Sequence, residues 1–174
     1  MKVSGIAVIG LLFLGVTSVA AQSITDAQIA SIVVTANQVD VDTGKVALDR
    51  ATNPGVKTFA HLMVTDHTGV NKAAVDLVTK LKVAPQDNPT SQSLKTEGDK
   101  HIAHLKTLSG SAFDRAYIDR EVAYHQQVID AVDKVLLPGA TNAELKALLV
   151  KVRPAFVAHL EHAKKLQKST NTVE

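Results

Sequence analysis

Apolar residues recur along this chain in steps of three and four, and short polar or proline-containing breaks divide the recurrence into helical lengths. From Ser111 to Leu137 the pattern predicts one long helix, with Ile118, Val122, Ile129, Val132 and Leu136 on its inner face. Ser111 and Asp114 read as a capping box that opens it, and Pro138-Gly139 as its stop. One member of the stripe is ionisable: His125, with Glu121 one turn before it.

The other segments follow the same rule. A first helix opens at Thr25, where Gln28 completes a capping box, and ends near Thr52. It turns Ile29, Ile32, Ala36, Val39 and Val46 inward, with Asn37 and Asp40 beside them. Asn53-Pro54-Gly55 breaks the chain and restarts it, with Asn53 as N-cap and Pro54 at the first helical position. The second helix runs from Pro54 to about Lys82 on a stripe of Val56, Ala60, Met63, His67, Val70, Ala74, Leu77 and Leu81.

Ala84 to Thr90 (APQDNPT) reads as a loop, and a shorter helix weakened by Gly98 spans about Ser91 to Leu108. The last helix begins at Asn142 and carries Leu145, Leu149, Val152, Phe156, His159, Ala163 and Leu166, with a kink expected at Pro154 and fraying from Ser169. No stretch reads as a strand. The short links pair the helices into two antiparallel hairpins, so the predicted fold is all-α: an up-down four-helix bundle with one additional short helix.

Composition narrows the setting. Residues 1–21 combine Lys2, an apolar run from Ile6 to Val16, and Val19 and Ala21 at the −3 and −1 positions of a cut before Gln22. This is the pattern of a secretory signal peptide, too short in its apolar run for a normal membrane span. Residues 22–174 then form a single domain, exported and periplasmic, peripheral at most to the cell envelope, with no later membrane-spanning segment. The absence of cysteine excludes disulfides, thiolate metal sites and a cysteine nucleophile. A formal charge of +2, with both signs interspersed and few aromatics, argues against nucleic acid as a partner. An envelope protein or a second copy of the chain remains as the candidate partner.

The chemistry lies in a polar layer. Counted at about 1.5 Å per residue, Asp40 and His67 stand roughly 20 Å from the turn that joins their helices. His125 and His159 stand roughly 21 and 25 Å from the other turn, with Glu121 near the height of His159. The five residues therefore share a level within each hairpin, while the register between hairpins is open. Two readings follow. One is a metal site of His67, His125 and His159 with Glu121 or Asp40, suited to zinc, copper or iron as a divalent cofactor. The other is a buried hydrogen-bonded network, with Tyr117 or Tyr124 donating hydroxyls. In either, the histidines are expected to be neutral, so stability should fall on mild acidification. Glu121 and His125 are four apart, and no Glu-x-x-His occurs, which argues against di-iron redox catalysis. Asp66 is either a surface charge or a bond to a neighbouring helix.

The runs NPGVKTFAHLMVTDH (Asn53 to His67), SGSAFDRAYIDREVAYH (Ser109 to His125) and AHLEHAKKL (Ala158 to Leu166) resemble a family of exported bacterial proteins. It is a domain of unknown function, number four-one-four-two, whose members are labelled membrane or outer-membrane proteins. The resemblance implies a ferritin-like helical bundle in the periplasm or envelope and no established activity. It matches Met63, Asp66, His67, Phe113, Asp114, Tyr117, His125 and His159. The functional expectation is a non-catalytic binding or envelope-stress protein with a mid-bundle histidine and carboxylate layer, with metal binding as the alternative.

Overall fold

A computed structural model describes residues 23–171. The expected signal peptide lies outside these residues. Among them every regular element is helical: α1 (Asp26–Arg50), α2 (Pro54–Leu81), α3 (Pro89–Lys106), α4 (Gly110–Ala131), a π-helical turn (Val132–Leu136), a single turn α5 (Leu137–Gly139) and α6 (Ala143–Asn171). No helix among them is long and apolar enough to cross a membrane.

Local chemistry sets the boundaries. Thr25 accepts from the Gln28 amide while the Gln28 side chain bonds back to the Thr25 amide, the expected capping box. Asn53 accepts from the Gly55 and Val56 amides with Pro54 at the start of α2. The next helix starts earlier than expected, at Pro89, because Asn88 caps it in a box with Ser91. At the far end α6 continues through Pro154 and reaches Asn171, past the fraying point expected at Ser169.

The start of α4 also differs. Gly110 adopts φ +57, a left-handed value open to glycine, and is the first helical residue, while Ser109 makes no side-chain cap. Ser111 is exposed within the helix. Asp114, expected to close a capping box there, instead accepts from the Thr52 amide (3.0 Å), the Thr52 hydroxyl (2.6 Å) and the Asn53 amide (2.9 Å). These groups form the turn between α1 and α2, whose amides have no helical acceptor. The opposite end repeats the device: Asp26 on α1 accepts from the Thr141 amide and hydroxyl and the Asn142 amide, in the link before α6. Each hairpin's turn is thus held by a carboxylate from the other hairpin, and the register between them is fixed.

The helices α1 with α2, and α4 with α6, form the two hairpins, which meet along α2 with α6 and α1 with α4. The short helix α3 runs along α1 and touches α4 more lightly. This gives α1 neighbours on several sides: Ile29 and Ile32 of the expected stripe are buried, and so are Ala30, Ser31, Val33, Asn37, Asp40, Val41, Thr43, Gly44 and Ala47, more than a single stripe. Ala36, Val39 and Val46 are only partly covered. Gly98 brings α3 against α1, since a Cβ there would stand 2.8 Å from Val39 Cγ1. The stripes of the other long helices are largely buried as expected, with His67, His125 and His159 on them.

Replacing Asp114 with alanine would leave the three donors of the α1–α2 turn without their acceptor, so urea unfolding should show a loss of about 2–4 kcal/mol. Ser111→Ala, which removes no cap, should change stability by less than about 0.5 kcal/mol.

Candidate metal centre

All four long helices supply the polar layer. Asn37 and Asp40 come from α1, His67 from α2, Glu121 and His125 from α4, and His159 from α6; each is at most 3% exposed. The three imidazoles form a near-equilateral triangle, with ring centroids 5.5 Å apart for His67–His125, 5.2 Å for His67–His159 and 5.4 Å for His125–His159. One nitrogen from each lies within 4.8 Å of the other two. Asp40, Glu121 and His125 form a second group of the same span, so His125 belongs to both. The structure thus brings together all five residues singled out from the sequence.

Hydrogen bonds fix the ring tautomers. Asn37 donates its amide to the Val33 carbonyl (2.7 Å), which leaves its oxygen facing His67 Nδ1 at 2.7 Å. That ring nitrogen must donate. His125 Nδ1 donates to the Glu121 carbonyl at 3.0 Å, and His159 Nε2 donates to Asp66 Oδ2 at 2.9 Å. In each neutral ring the other nitrogen is therefore a bare lone pair. Those nitrogens, His67 Nε2, His125 Nε2 and His159 Nδ1, are buried and have no hydrogen-bond partner in the protein. Asp40 Oδ1 is in the same condition, while Asp40 Oδ2 stands in ion-pair range of two of the rings.

These lone pairs face one another. Asp40 Oδ2 stands 3.0 Å from His67 Nε2 and 3.6 Å from His125 Nε2. A carboxylate oxygen against two imidazole lone pairs is repulsive unless a cation, a proton or a metal ion, stands between them. The protonation pattern follows. Burial raises the pKa of Asp40, but His67 and His125 outweigh it and hold the carboxyl well below its usual range. For Glu121, burial and the adjacent Asp40 charge push the pKa up to about 7 against the pull of His125. Burial disfavours charge on His125, yet Glu121 and Asp40 overcome this and raise it to about 9. Burial lowers the pKa of His159, assisted by His67 and His125 and opposed by Asp66. Neutral buried imidazoles were expected throughout; His159 fits, whereas His125 is a cation because two carboxylates share its pocket.

Several parts were not assigned from the sequence. Asn37, noted there only as lying beside the apolar face, orients His67. Asp66, left between surface charge and interhelical bond, orients His159 from α2. Phe156 stacks on His67, with planes 4° apart. Tyr124 donates to the Ala36 carbonyl and not to the cluster. Met63 is buried in the apolar core with Phe59 and Tyr117. Of the remaining histidines, His162 meets the Phe59 ring edge-on, and half-buried His101 has a pKa lowered to about 4 by burial, Arg120 and His104.

The fold and the buried cluster define an all-helical protein with converging histidine and carboxylate donors. The chain belongs to the family "Domain of unknown function (DUF4142)", whose model matches residues 14–166. Among solved structures it is similar to a protein described as a secreted DUF305 protein from Streptomyces coelicolor, with TM-score 0.71 and 14% identity over 84% of this chain and 93% of that one. It is also similar to CopM in the Cu(II)-bound form, with TM-score 0.65 and 18% identity over 84% of this chain and 98% of that one. At these identities the likeness is one of fold. No curated protein sequence matches.

The raised pKa of His125 makes a signed prediction for the metal-free protein. The stabilising charge is fully present below the unfolded value near 6.5 and is lost as pH rises through about 9. Thermal melts should therefore weaken between pH 6.5 and 9.5, by on the order of 3 kcal/mol, and the slope should shrink in His125→Gln to the part that Glu121 contributes near pH 7. A flat wild-type profile over that range would contradict the assignment.

Proposed function

We propose that this chain is a periplasmic metal-binding protein, exported by removal of residues 1–21, with the ferritin-like four-helix bundle and additional short helix as its scaffold. The site is His67, His125 and His159 with Asp40, and Glu121 is the carboxylate beside His125. The observation that carries this reading is the set of three buried ring nitrogens left without partners, each in a ring oriented by an acceptor on its other nitrogen. That is how metal-ligating histidines are held. A purely structural network would be expected to use those nitrogens for hydrogen bonds, because each unsatisfied buried group costs about 1–3 kcal/mol.

The donor chemistry narrows the ion. Neutral imidazoles with one carboxylate and no thiolate suit copper(II) or zinc better than calcium or magnesium, which prefer oxygen. Among divalent first-row ions copper(II) binds such donors most tightly, so it is placed first. CopM, a copper(II)-bound protein of similar fold, supports that order. Four ligands at about 2.0–2.1 Å from an ion stand roughly 3.4 Å apart, so three nitrogens that lie within 4.8 Å of one another need to close by at most roughly 1.4 Å. The absence of Glu-x-x-His leaves binding, rather than oxygen chemistry, as the role.

Protein exported to the periplasm and purified without a histidine tag should carry, or take up, close to one copper or zinc ion per chain by elemental analysis. The His67→Ala, His125→Ala double variant should take up none. Because the ion must displace the proton of His125, affinity should rise between pH 6.5 and 9. A wild-type protein that accepts no copper, zinc or iron would leave the layer as a structural network and overturn the reading.

A further inference from the structure

One side of the histidine layer opens onto a cavity of about 200 Å³. Its wall is apolar: Val33 on α1, Val132 and Leu136 on the π-helical turn, and Leu149, Val152 and Phe156 on α6. Protein interiors rarely keep voids larger than a water molecule. An apolar cavity of about 150 Å³ is already large enough to take up benzene. The π-helical turn contributes to this wall. The N–H of Leu137 reaches back to the Val132 carbonyl, just before Pro138, which has no N–H to offer. Single π turns within helices are common where a protein shapes a functional site.

The polar end of the cavity is formed by Asn37, Asp40, His67 and His125. Asp40 Oδ1 is a buried acceptor there without a partner, while Asp40 Oδ2 lies 3.0 Å from His67 Nε2 and 3.6 Å from His125 Nε2. The donors at this end are already spent, Asn37 on the Val33 carbonyl, Tyr124 on the Ala36 carbonyl and the His125 proton toward Asp40 Oδ2. A ligand head that donates a hydrogen bond is therefore matched, whereas a carboxylate head would meet the Asp40 oxygens. A charged amine would lose its water against the apolar wall and would meet the positive charge already on His125. The way in lies along the light seam between α3 and α4, where exposed Thr90 and Gln127 line the cavity.

We propose that this cavity binds a small neutral ring compound bearing one hydrogen-bond donor, of the phenol class, with its ring among Val33, Val132 and Leu149 and its donor on Asp40. The proposal does not rest on metal binding. The test uses the metal-free mature protein with methyl-labelled valine and leucine, titrated with phenol, benzene and benzoate and read by NMR. Phenol should saturably shift the methyls of Val33, Val132 and Leu149 and bind at least ten times more tightly than benzene, and benzoate should not bind. Val128→Phe, which fills the cavity, should melt like wild type and lose the phenol shifts. Asp40→Asn should reduce phenol to the affinity of benzene. Equal binding of phenol and benzene, undiminished phenol binding in Val128→Phe, or no saturable shift with phenol would overturn the proposal. Copper or zinc uptake by the wild-type protein is measured separately and decides only the metal reading.

Discussion

The arrangement depends on two carboxylates that each tie one helical hairpin to the turn of the other. Asp114 on α4 holds the backbone of Thr52 and Asn53, and Asp26 on α1 holds Thr141 and Asn142. Apolar packing brings helices together but tolerates sliding, because a stripe of Ala, Val and Leu repeats along its length. Hydrogen bonds from amides that have no other acceptor do not tolerate it. With both ends pinned, mid-helix positions from different hairpins come to one level. His67 then faces His125 and His159, and Asp40 faces two of them.

That level is an unusual place to bury charge. Asp40 sits among imidazoles whose outer nitrogens are already committed to Asn37, the Glu121 carbonyl and Asp66. The inner nitrogens and the carboxylate oxygens repel one another unless something positive joins them. In the metal-free protein the proton on His125 does so, and Glu121 and Asp40 raise its pKa against the effect of burial. A divalent ion would satisfy more of those lone pairs at once. This is the physical link between the buried layer and the proposed function, and it depends on ring orientation more than on the number of histidines.

Much of this was legible in the sequence. The three- and four-residue spacing gave the all-helical fold, and Thr25, Asn53 and Pro54 marked boundaries that hold. Comparable distances from the turns placed Asp40 with His67, and His125 with His159 to within one helical turn, because helical rise per residue is nearly constant. The register between hairpins was not legible, since Asp114 resembles a local cap in sequence and acts at long range in space. The double-sided burial of α1 was hidden for a similar reason: helical periodicity reveals a face but not how many neighbours press on it. The roles of Asn37 and Asp66 also needed three dimensions, since each orients a histidine from another helix. The proton on His125 could not be read at all before Glu121 and Asp40 were seen to share its pocket.

The central claim is that His67 Nε2, His125 Nε2 and His159 Nδ1 are turned toward one another to receive one ion. Long-range proton–nitrogen correlation spectra of the histidine rings, recorded before and after one equivalent of zinc, test it most directly. The account predicts that zinc shifts those three nitrogens, leaves their ring partners protonated, and does not move His61, His101, His104 or His162. Zinc shifts confined to those four other histidines, or coordination through the opposite nitrogen of His67 or His159, would contradict it.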